Sequence, residues 1–143
     1  MKTVTIYVDG VFDLFHFGHV NMFIQALNLT KEEYGECEIF LIAGVVLDKD
    51  VESYKRTPIL TFFERVNIVS SCKYVNKVIP AVLYLTNEFI DSNNIDLVFH
   101  GNDSEQAEFF KIAIDRGIMR YLQYTNGIST TDIINRCIRA TRI

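Results

Sequence analysis

Polar and apolar residues alternate through Thr3-Val4-Thr5-Ile6-Tyr7-Val8, the period of a strand with one face on a core. After the turn-prone Asp9-Gly10 the period lengthens, and residues 18–29 read as an amphipathic helix. Residues 37–46 contain the unbroken apolar run Ile39-Phe40-Leu41-Ile42-Ala43, which predicts a strand buried on both faces. Thr61-Phe62-Phe63-Glu64 is a capping-box pattern that starts a helix ending near Cys72. Beyond it the pattern predicts a strand at 74–79 stopped by Pro80, a helix at 86–93 and a strand at 96–99. A helix at 104–116, a strand at 118–124 and a last helix at 129–142 complete the series. Alternating strands and helices with buried strands define an α/β fold, a doubly wound parallel sheet of five strands. Ligands of such sheets bind beyond the strand C-termini, where the strand order reverses.

Composition narrows the class. The 143 residues make one domain, residues 1–143, and 49% hydrophobic with 22% charged residues is ordinary for a globular protein. Cys37, Cys72 and Cys137 are odd in number and far apart, so reduced thiols and a cytoplasmic setting are expected. No basic-then-apolar leader opens the sequence, and no apolar run reaches the ~20 residues that span a bilayer. A formal charge of −4 and a pI near 5.3 argue against nucleic acid as a partner. No Cys/His cluster suggests a protein-built metal site.

Two stretches carry candidate chemistry. His16-Phe17-Gly18-His19 lies at a strand-to-helix junction, so both imidazoles approach the free N–H groups and positive dipole end of a helix N-terminus. That combination suits phosphate charge. Taken alone, H-x-x-H has a plainer reading, in which one His caps the helix and the other packs in the core. The second stretch is Gly127-Ile128-Ser129-Thr130-Thr131-Asp132, where Ser129 and Asp132 fit a helix start. Capping does not account for three consecutive hydroxyls behind a glycine, a set that can hold a triphosphate.

H-x-G-H together with G-I-S-T-T resembles the cytidylyltransferases of the nucleotidyltransferase superfamily, which have a Rossmann-like fold. These make CDP-choline, CDP-ethanolamine or CDP-glycerol from CTP and a phosphorylated alcohol. The resemblance runs from Tyr7-Val8-Asp9-Gly10-Val11-Phe12-Asp13 through Tyr54-Lys55, Glu64-Arg65, Lys73-Tyr74-Val75 and His100-Gly101-Asn102-Asp103 to Gly127-Ile128-Ser129-Thr130-Thr131, in order along nearly the whole chain. It implies that His16, His19 and Lys55 are catalytic. It implies nucleotide contacts from Gly10, Val11, Phe12, Arg65, His100, Gly127, Ile128, Ser129 and Thr130, with both His of the first motif on the phosphates. Asp13, Lys55, Asn102 and Asp103 fall toward the acceptor alcohol phosphate. Mg²⁺ is expected to arrive with CTP, and the Lys73-Tyr74-Val75 segment implies a homodimer.

The resemblance leaves the acceptor open among phosphoethanolamine, phosphocholine and glycerol 3-phosphate. The H-G-N-D string leans toward phosphoethanolamine, while the short segment after it is closer to the glycerol phosphate enzymes. ATP in place of CTP, and a non-catalytic nucleotide-binding relative acting through its dimer, are the alternatives. Tyr124 stands where the second motif of relatives has an arginine, and a neutral phenol cannot supply a bidentate cationic contact. Arg56 is the expected compensator, since Arg120 lies four residues back along a strand. Leu83, with Tyr84 adjacent, stands where relatives place an aromatic residue near the base.

Overall fold

The computed structural model describes residues 1–102 and 104–142. Five strands form one parallel sheet: β1 (Thr3–Gly10), β2 (Glu38–Val46), β3 (Lys77–Ala81), β4 (Leu97–Gly101) and β5 (Met119–Leu122). Their order is β3-β2-β1-β4-β5, so the chain winds outward from β1 in one direction and then restarts beside it with β4. The reversal lies between β1 and β4, which places a crevice at their C-terminal ends. The helices are α1 (Phe17–Tyr34), α2 (Asp48–Glu52), α3 (Phe62–Ser70), α4 (Asn87–Ser92), α5 (Lys111–Asp115) and α6 (Thr130–Ala140).

β1 is buried because its alternation serves two cores. Val4, Ile6 and Val8 pack with Phe23 and Ala26 of α1 on one face. Tyr7 packs with Ile42, Val98, Ile90 and Phe110 on the other. Such burial, worth about 1.5–3 kcal/mol per large apolar side chain, fixes the register that brings the β1 and β4 termini together.

The expected alternation holds, with three differences. The segment predicted as one helix at 104–116 is a 3₁₀ stretch, Ser104–Phe110, followed by the short α5. A further short helix, α2, follows β2. Pro80 does not end its strand but lies within β3, in register with Val45. β3 is an edge strand, the place in a sheet where proline is tolerated.

Candidate active site

A cavity of about 570 Å³ opens at the C-terminal ends of β1 and β4. Most of its polar lining comes from strand ends and helix starts. Asp9 to Asp13 lead out of β1, His16, Gly18 and His19 open α1, and Lys55 and Arg56 lie just beyond α2. His100 and Gly101 end β4, and Ile128 to Thr131 begin α6.

The loop from β1 to α1 is wound tightly. Phe12 and Leu14 hold φ of 55° and 50°, a left-handed conformation costly for such side chains. His16 caps α1: its Nδ1 accepts from the Gly18 amide at 3.0 Å. The His19 Nδ1 reaches back to accept from the His16 amide at 3.1 Å. Gly18 is required because a Cβ there would stand 2.8 Å from the His16 ring. His19 lies between Phe12 and Phe15, with ring centroids 5.5 and 5.4 Å away.

Both Nδ1 atoms are acceptors, so in the neutral rings both protons are on Nε2. Burial lowers the His16 pKa. Burial first, and His16 second, hold His19 down to about 3. The two rings, 3.9 Å apart, are therefore neutral N–H donors rather than cations at neutral pH. Capping and core packing, the plainer reading of H-x-x-H, are both present, and they fix the tautomer.

The start of α6 abuts this junction: Ile128 lies 3.4 Å from the Cβ position of Gly18. Two helix N-termini thus converge on the cavity. Ser129 accepts from the Asp132 amide at 3.0 Å, which leaves its own O–H to donate. Thr130 donates its proton to the Asp13 carbonyl at 3.0 Å. Gly127 does not line the cavity; its φ of 83° turns the chain into the cap.

Other candidates take different places. The Asp13 carboxylate accepts from the amides of Ile59 and Leu60 at 2.7 and 2.9 Å, so both oxygens brace the neighbouring loop. Arg65 is wholly buried and does not line the cavity. Its guanidinium donates to the carbonyls of Leu60, Val11 and Val46 and pairs with Asp48. It fastens the loops that leave β1 and β2. Lys55 and Arg56 are exposed at the cavity wall. Asn102 is exposed and does not line the cavity, and Asp103 lies outside the described residues. Leu83 lines the wall, whereas Tyr84 packs edge-on to Phe109 at 4.9 Å. Tyr54 and Phe109 also line the wall, and their rings are 5.8 Å apart.

Tyr124 lies across the end of β4, where a Cβ on Gly101 would stand 2.6 Å from its hydroxyl. Asp9 is a site residue that the motif reading did not single out. Its carboxylate accepts from Nδ1 of His100 at 2.6 Å, with both side chains mostly buried. Its local signals were its place at the end of an alternating strand and within the Tyr7–Asp13 run. Among the described residues no group of three His, Cys, Asp or Glu side chains could hold a metal. None of their helices is long and apolar enough to cross a membrane.

A doubly wound parallel sheet with two helix N-termini and paired imidazoles at its crevice defines a Rossmann-like α/β domain. The model of the Cytidylyltransferase-like family matches residues 7–136. The chain belongs to that family. It is 36% identical over 143 residues to mouse choline-phosphate cytidylyltransferase A, covering 96% of this chain and 37% of the relative. It is 37% identical over 142 residues to the ethanolamine-phosphate cytidylyltransferase of Dictyostelium discoideum, covering 93% and 37%. With mouse ethanolamine-phosphate cytidylyltransferase the identity is 32%, over 99% of this chain and 34% of the relative. The chain thus spans about a third of the length of these curated relatives. A crystal structure of the lipopolysaccharide core biosynthesis protein from Thermoplasma volcanium GSS1 superposes with a TM-score of 0.63. It covers 85% of this chain and 96% of its own, at 20% identity, a likeness of fold alone.

Proposed function

We propose that the cavity transfers CMP from CTP to a phosphorylated amino alcohol, phosphoethanolamine or phosphocholine, and releases pyrophosphate. The observation that carries this reading is the pair of neutral imidazoles fixed with Nε2–H donors at a helix N-terminus. An acceptor phosphate oxygen attacks the α-phosphorus of CTP in line, a P–O bond forms, and the bond to the β-phosphate oxygen breaks. Such transfers need positioning and charge stabilisation more than covalent help from side chains. His16 and His19 donate to the phosphate oxygens as charge builds on the leaving group. Lys55 and Arg56, which line the same cavity, supply positive charge. Tyr54 and Phe109 offer ring faces for the base, and Asp9 with His100 forms the acidic side that receives a cationic head group. The sequence similarity to choline- and ethanolamine-phosphate cytidylyltransferases supports this acceptor class.

Mg²⁺ enters as part of the substrate, held by triphosphate oxygens and water. The donor set suits that mode, since the Asp13 carboxylate is already engaged by two amides. The active form is a homodimer joined at the segment Lys73-Tyr74-Val75, beside the β3 edge.

Tyr124 favours a second reading, in which nucleotide is bound without turnover, because no guanidinium comes from that position. A screen of CTP and ATP against phosphoethanolamine, phosphocholine and glycerol 3-phosphate separates the readings. Pyrophosphate is expected from CTP with an amino-alcohol phosphate. Thermal stabilisation by CTP with no pyrophosphate from any pair would favour binding alone.

A further inference from the structure

The Tyr7 side chain is wholly buried, and its hydroxyl has no hydrogen-bond partner among the described residues. A buried hydroxyl without a partner is destabilising, and phenylalanine would fill the same space without that penalty. The sheet fixes where this hydroxyl ends. A Cβ on Gly44 would stand 2.1 Å from it. Gly44 is the register partner of Asp9 across the β1–β2 ladder. Tyr7 and Asp9, two residues apart on one strand, project from the same face. The phenol therefore leans into the row of Asp9, where glycine leaves room, and ends about one strand spacing, roughly 5 Å, from the Asp9 Cβ. A carboxyl group on that Cβ closes most of the gap.

We propose that Tyr7 is a positioning residue whose hydroxyl donates to the Asp9 carboxylate, through a small rotation of that group or one bridging water. The network then runs Tyr7–Asp9–His100 beneath the cavity floor. One oxygen of Asp9 takes the Nδ1 proton of His100, and the other takes the phenol. Two bonds fix the carboxylate, and with it the His100 ring at the cavity wall. Burial, with the charge of Asp9 adding to it, pushes the Tyr7 phenol well above its ordinary range, so it keeps the proton it donates. Among the described residues, the other ionisable groups that line the cavity with this pair are Asp13, His16, His19, Lys55 and Arg56, with the phenols of Tyr54 and Tyr124. None of these is altered in the variants below. Phe110 packs against the His100 ring, with centroids 4.6 Å apart.

Removing the phenol leaves more of the carboxylate charge to the imidazolium. NMR titration of His100 in Tyr7→Phe should therefore show a midpoint raised by roughly half a pH unit or more. In an Asp9→Asn background the same substitution should have no effect. A His100 midpoint that is the same in the wild type and Tyr7→Phe would overturn the proposal. Should Tyr7→Phe fail to fold, the Cζ resonance of ¹³C-labelled Tyr7 decides it. That resonance should move in Asp9→Asn, and a stationary one would overturn the network. Any effect on turnover rests on the cytidylyl-transfer reading, but the titration does not. A moved midpoint in a protein that never releases pyrophosphate would sink that reading and leave the network standing.

Discussion

At the scale of single residues, His19 holds the most decisive position. Its Nδ1 is engaged by the His16 amide, so only Nε2–H remains for substrate. Asparagine can keep the first bond through its amide oxygen but does not reach the second. His19→Asn should lower kcat by about 10²–10³, the loss of one preorganised donor, and His19→Gln, which reaches the Nε2 position, should recover part of it. The same ring governs acid stability. With a folded pKa of about 3 against 6.5 unfolded, the unfolded chain binds the proton first. The contribution of His19 is complete above 6.5 and declines as the pH falls toward 3. Between pH 7.5 and 5 that is about 2 kcal/mol, a slope that urea denaturation should find flattened in His19→Asn. Tyr124 is the other informative residue. Tyr124→Arg restores a charge-assisted contact of about 1.5–3 kcal/mol, so calorimetry should show CTP bound roughly 10- to 100-fold tighter. No gain in Tyr124→Arg with a large loss in Arg56→Ala would mean that Arg56 already fills the role.

Elements hold the site through a few fastenings, and the buried Arg65 of α3 is chief among them. It joins the carbonyls of Val11 and Val46, and so ties the ends of β1 and β2 to one helix. Arg65→Met would leave these carbonyls unbonded in the core and should destabilise the fold by about 3 kcal/mol or more in urea unfolding. No sequence signal showed this role, because a mid-helix arginine gives no sign that carbonyls from distant strands meet there. Local signals were legible. The Thr61–Glu64 box does cap α3, and the apolar run at 39–43 is β2. Where tertiary context decides, the reading failed. Pro80 breaks a strand in general but not an edge strand. The helix predicted at 104–116 splits into the 3₁₀ stretch and α5. At the site, H-x-G-H announced itself by spacing, whereas the bond from His100 to Asp9 joins residues 91 apart. It follows only from strand order.

For the molecule as a whole, the reversal between β1 and β4 explains why motifs from both ends of the chain meet in one cavity. The exposed apolar side chains Phe63 and Ile68 of α3, with Ile59 before it, lie outside that cavity and suit burial in an assembly. A homodimer in sedimentation is expected, and a stable monomer at working concentration would contradict it. The central claim is chemical, and one measurement tests it directly. The protein would be given CTP and phosphoethanolamine labelled with ¹⁸O in its three non-bridging phosphate oxygens, and the products followed by ³¹P NMR. Attack by the acceptor phosphate on the α-phosphorus predicts that the label stays wholly in CDP-ethanolamine and that the pyrophosphate is unlabelled. Label in the pyrophosphate, or no cytidine diphosphate ester with either this acceptor or phosphocholine, would contradict the account.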